Sequence, residues 1–128
     1  MVAHVDFTIE DQILIANVSG IWRKPADSLA TLQQILEKAE AENLDQVLYL
    51  SEVTGSAPST LEAHFLGERA AAILGSLVLG YVSLAKREAK MEESINFITQ
   101  VAQNRGLLSR QFADQAAARL WLSRQRVG

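Results

Sequence analysis

The chain contains no cysteine, which removes disulfides, zinc–thiolate sites and thiol nucleophiles from consideration and suits a cytoplasmic protein. Histidine is almost as scarce. The only two, His4 and His64, are far apart in sequence, and neither has a second ligand at metal-binding spacing. Proline occurs twice and aromatic residues make up 6% of the chain, so nothing suggests a proline-rich linker. The longest uncharged run, Ala70 to Ala85, is sixteen residues long and is divided by Gly75 and Gly80. It is too short for a membrane span and reads as a helix end followed by a strand. The first residues lack the charged start and apolar core of a signal peptide.

What is present describes an ordinary globular domain. Apolar residues make up 48% and charged residues 21% of 128, and a chain of this length buries about two-thirds of its unfolded surface in one domain, 1–128. Net charge is −3, unevenly spread. From Asn104 onward five arginines (105, 110, 119, 124 and 126) face only Asp114, whereas the preceding part is strongly acidic. The arginines are spaced out and the whole is acidic, so they read as solvated helix faces and no nucleic-acid partner is expected.

Residues 2–9 alternate, with Val5, Phe7 and Ile9 opposite His4, Asp6 and Thr8, as in a half-buried strand. Glu10-Asp11-Gln12 is a turn, and Ile13 to Ile21 completes a hairpin. Pro25 suits a first helical turn, and the helix runs to about Asn43, with Leu29, Leu32, Leu36 and Ala39 as its stripe and Ile35 beside it. Val47 to Val53 is a core strand that turns at Thr54-Gly55. Ser59 and Glu62 have the spacing of a capping box, opening a helix that carries Ala63, Leu66, Ala70 and Ile73 and stops at Gly75. Leu77 to Ala85 is a third core strand in which Gly80 marks a bulge or a close approach. Helix 89–104 ends at Gly106 and buries Met91, Ile95, Ile98 and Ala102. A short strand over 107–112 follows, and Asp114 caps a last helix with Leu120, Trp121 and Leu122. The order ββαβαβαβα predicts an α/β fold: a single domain with a mixed, mostly parallel sheet of about five strands packed with helices.

The constellations that carry chemistry are missing. Gly75 to Gly80 lacks the Lys-Ser/Thr of a phosphate loop, and there is no Gly-x-Ser-x-Gly elbow. Adjacent Glu92 and Glu93 diverge on a helix and suit its first turn. Ser59 has no base within sequence reach, and capping accounts for it. Asn17-Val18-Ser19 matches a glycosylation sequon but sits within a predicted strand.

The stretch Val47 to Leu61, V-L-Y-L-S-E-V-T-G-S-A-P-S-T-L, resembles the central strand and switch loop of STAS domains, the bacterial anti-sigma-factor antagonists. The close of the chain, Phe112, Asp114, Ala118, Trp121 and Leu122, is similar to the SpoIIAA-like, SEC14-related branch. The resemblance implies a STAS-like domain, no enzymatic activity and no cofactor. It also implies a regulatory module in the cytoplasm that binds a protein partner through Thr54, Gly55, Ser56, Pro58, Ser59 and Thr60. The family's Asp-Ser-Ser positions fall on Ala57, Pro58 and Ser59, so its phosphoacceptor position holds a proline without a hydroxyl. The alternative is a carrier or sensor for a small apolar or lipid-like ligand held between helices and sheet. A large internal apolar pocket would favour the ligand, and a filled core with an exposed apolar helix face the protein partner. Leu61 and Phe65, one turn apart beside the core stripe, together with an edge strand, lead to the expectation of a homodimer.

Overall fold

Two residues close the opening hairpin in a backbone conformation that neither favours. Strand β1 (His4–Glu10) pairs antiparallel with β2 (Ile13–Trp22), Glu10 opposite Ile13, so only Asp11 and Gln12 remain for the turn. Both have positive φ, 52° and 64°, as a two-residue turn matching the strand twist requires. The computed structural model of the protein describes residues 4–86 and 88–125. The predicted start of the first strand at Val2, and Arg126 of the arginine-rich end, lie outside the described residues.

The remaining strands β3 (Gln46–Gly55), β4 (Val78–Ser83) and β5 (Leu108–Phe112) add in parallel, giving a five-stranded sheet in the order β1-β2-β3-β4-β5. Each crossover moves one strand further in the same direction. A constant right-handed crossover therefore lays all three connecting helices on one face. These are α1 (Pro25–Ala41), α2 (Thr60–Leu74) and α3 (Ala89–Asn104), packed over Leu14, Ala16, Val18, Val47 and Leu79. The last helix, α4 (Gln115–Arg124), covers the other face, where Ala118 and Leu122 meet Leu48, Leu50 and Val82.

Helix ends follow local chemistry closely. Asn43 at φ 54° and Gly106 at φ 100° each occupy the left-handed position just past a helix. Leu44 and Leu107 then donate back to Ala39 and Ala102 at 2.8 and 3.0 Å, satisfying carbonyls that would otherwise lack partners. Asp114 caps α4 by accepting from the Ala117 N–H at 2.8 Å.

Several sequence expectations shift, and on α3 Val101 is buried where Ile95 and Ile98 are only half-buried. The buried line of α1 is Thr31, Leu32, Ile35 and Ala39, with Leu29 and Leu36 only half-buried at its margins. On α2 the buried face includes Gly67 and Leu74, and Ile73 stands beside it. Gly80 is not a bulge: the ladder runs unbroken from Leu48 through Gly80 to Arg110. Instead, Ala118 and Leu122 of α4 seat over it at ordinary contact distance. Among the described residues no helix is long and apolar enough to cross a membrane.

Candidate functional site

The segment joining β3 to α2 is held at both ends. Strand β3 does not turn at Thr54-Gly55, as the sequence suggested, because those residues continue the ladder opposite Ile21 and Trp22. Gly55 has φ 120°, and a Cβ there would come within 2.6 Å of the Trp22 carbonyl oxygen, so only glycine fits. The chain bends at Ser56, buries Pro58 and enters α2 through Ser59. The Ser94 hydroxyl of α3 donates to the Pro58 carbonyl at 3.2 Å. The capping box is complete: Ser59 Oγ accepts from the Glu62 N–H at 3.1 Å, and Glu62 Oε1 accepts from the Ser59 N–H at 2.9 Å. Thr54, Ser56 and Thr60 are exposed on this rigid frame, and Leu61 directly follows. Leu61 is 81% exposed and Phe65, one turn on, 43%.

Because Ser59 works as a cap, its chemistry sets an expected result. Ser59→Ala should lower stability by about 1 kcal/mol, whereas Ser59→Asp should stay within a few tenths, since aspartate caps as well as serine. Urea denaturation of the two variants measures the difference, and equal losses would contradict the capping role.

The second feature is a cavity of about 160 Å³ between the sheet and α1, α2 and α3. Its floor includes Tyr49 and Tyr81, neighbours on β3 and β4 whose rings stack at 5.1 Å and 23°. Leu66, Met91 and Ile98 form the helical walls, and Pro58 borders it, so loop and cavity share a residue. Its polar groups include Asp27 and Thr31 of α1. Asp27 is 6% exposed. The Arg23 N–H donates to its Oδ2 at 3.3 Å, and the Thr31 hydroxyl donates to its main-chain carbonyl at 3.2 Å.

Sequence reasoning offers the space between helices and sheet only as the place of an alternative ligand, and names neither the residues that line the cavity nor Asp27. The available signal was a pair of small residues on the buried faces of the helices, Ala70 on α2 and Ala102 on α3, which border the cavity and are too short to fill the space over the two tyrosines. Asp27 gave no signal of its own, since an acidic first-turn residue is ordinary.

Other candidates are dispersed. His4 pairs with Asp6 at 3.1 Å and His64 with Glu68 at 3.2 Å, both at the surface. Among the described residues no three His, Cys, Asp or Glu side chains gather closely enough to hold a metal ion. Glu92 lies in the first turn of α3, Glu93 beside it, and both are exposed. The arginines serve different parts of the molecule. Arg105 pairs with Glu68, Arg119 with Glu10 at 2.9 Å, and Arg110 lies 5.5 Å from the Phe112 ring centroid.

No family model matches the chain, and no curated protein matches it by sequence. Among solved structures it is similar to an anti-sigma factor antagonist from Mycobacterium paratuberculosis, with a TM-score of 0.62 and 14% identity over 94% of each chain. At that identity the likeness concerns the fold, which is the STAS-like arrangement of a five-stranded mixed sheet and four helices.

Proposed function

We propose that the protein is a non-enzymatic regulatory module of the cytoplasm, formed by the whole chain as one STAS-like domain, that docks onto a protein partner through the β3–α2 loop and the first turn of α2. The observation that carries this reading is Leu61. A large apolar side chain that is 81% exposed sits on a helix start pinned by the capping box and the Ser94 contact. Rigid presentation of an apolar side chain lowers the ordering cost of binding. The shared fold with an anti-sigma factor antagonist supports a partner of that regulatory class. Pro58 has no hydroxyl to phosphorylate, so docking through this loop would not be switched there.

The test is affinity capture from the protein's own host with wild-type and Leu61→Glu baits. Leu61→Glu should change stability by less than about 0.5 kcal/mol, since the site is exposed, and should lose a partner that the wild type captures. Retention of every captured protein by Leu61→Glu overturns the reading.

Self-association is a further part of the proposal. The exposed β1 edge and the Leu61–Phe65 pair offer two surfaces for a twofold dimer. Sedimentation velocity over a micromolar concentration series should show a dimer, and a single monomeric species throughout sinks it. Phe65→Glu should dissolve a helix-mediated dimer and leave an edge-strand dimer intact.

A second reading rests on the cavity: the domain senses or carries a small apolar ligand between helices and sheet. A void of this size over a stacked tyrosine pair supports it. Loop docking and ligand binding are compatible, because Pro58 belongs to both places.

A further inference from the structure

We infer that the cavity takes a ring-sized apolar molecule carrying one hydrogen-bond donor, a hydroxyl, N–H or ammonium, and that the donor is received by the Asp27 carboxylate. This rests on the ligand reading above and not on loop docking.

Size sets the body of the ligand. An apolar cavity of about 150 Å³ accommodates benzene, and this one is about 160 Å³. One ring fits beside the stacked Tyr49–Tyr81 pair.

Asp27 sets the donor. It is 6% exposed and borders an otherwise largely apolar void. Among the described residues only the Arg23 N–H reaches its side chain, at Oδ2, leaving Oδ1 without a protein partner. A carboxylate has room for several donors, and a buried polar atom left unpaired is costly. The start of α1 favours negative charge at this position but supplies no donor to Oδ1. The Thr31 hydroxyl, one turn on, donates to the Asp27 main-chain carbonyl. Ser28 Oγ accepts from the Trp22 indole N–H at 2.9 Å and, among the described residues, makes no hydrogen bond to the Asp27 carboxylate. A donor brought in by a ligand would satisfy Asp27, and an apolar ring behind that donor would fill the space.

The experiment is calorimetric titration of the full chain with phenol, indole, 2-phenylethylamine and donorless toluene. At least one donor probe should bind about tenfold more tightly than toluene, as a charge-assisted hydrogen bond adds to similar apolar contact. Tighter binding of phenol or indole assigns a neutral donor; tighter binding of the amine assigns a cation. Asp27→Leu should bring the preferred donor probe down to the toluene level. Should Asp27→Leu fail to fold, the shape-preserving Asp27→Asn decides: the preferred donor probe should lose most of its advantage while toluene is unchanged. Ala70→Leu, which fills the void, should abolish binding of all four. Equal affinity for toluene and every donor probe overturns the role of Asp27 yet leaves the ligand reading standing. Binding that survives Ala70→Leu removes the site from this cavity. No binding of any probe at millimolar concentration overturns both the inference and the ligand reading.

Discussion

Gly67→Val should destabilise the domain by several kcal/mol, and even Gly67→Ala should destabilise it. Gly67 is buried where α2 crosses α3, and a Cβ there would lie 2.6 Å from Val101 Cβ and 2.8 Å from the Ile98 carbonyl oxygen. Two effects compete in the alanine variant. Replacing glycine inside a helix contributes about 1 kcal/mol through propensity, while forcing a methyl into a packed contact costs about 1–3 kcal/mol. The second should win, because one of the atoms in the way is backbone and cannot rotate aside. Valine adds two further carbons and a stiff χ1 to the same gap. For a domain of this size each kcal/mol moves the melting temperature by roughly 3–5 °C, so thermal denaturation resolves both variants. A raised Tm for Gly67→Ala would refute the close approach. Pairing Gly67→Ala with Val101→Ala removes the third close contact, to Val101 Cγ1 at 2.8 Å, and should recover part of the loss, a coupling that appears only if the two residues touch.

The second large effect is expected at Leu122. It is fully buried under the sheet face that α4 covers, against Leu48, Leu50 and Val82. Leu122→Ala removes that contact and leaves a void, at a cost of about 2–5 kcal/mol. Against a total stability of about 5–15 kcal/mol, this is enough to loosen α4. Leu120, two residues earlier, is 53% exposed, and Leu120→Ala should stay within about 0.5 kcal/mol. The sequence reading puts Leu120, Trp121 and Leu122 together on the last helix, whereas the fold divides them. Similar losses in the two variants would mean that α4 is seated on a different face.

That division shows what can be read from the amino-acid order. Ser59 with Glu62, Asp114, Asn43 and Gly106 were legible because a cap is settled by residues a few positions apart. The alternation of strands and helices was legible because apolar periodicity records which face is buried. The end of β3 was not, since pairing of Gly55 with Trp22 depends on a strand more than thirty residues away. The phase of α1 was misjudged by the width of one side chain. Leucine content pointed to Leu29 and Leu36, but Thr31 is buried in their place, with its hydroxyl satisfied by the Asp27 carbonyl. Of the candidate site, a connection between β3 and α2 was legible through its small residues, although it spans only 56–59, with Thr54 and Gly55 belonging to β3 and Thr60 to α2. The cavity was not, because a void is a property of four elements meeting and no local pattern encodes it.

The unbroken strand order has a consequence for how the chain is made. In many α/β proteins a late strand must slip between two earlier ones, or the sheet grows from its middle outward. Here each strand joins the edge that the preceding strand has just left, from β1 to β5. A nascent chain leaving the ribosome can therefore assemble by simple accretion. The hairpin forms first from neighbouring residues, and each later helix–strand unit finds its template already in place. At every stage of synthesis the open edge on the growing side is the strand most recently completed. After β5 takes its place, α4 closes the face that has stayed uncovered until then.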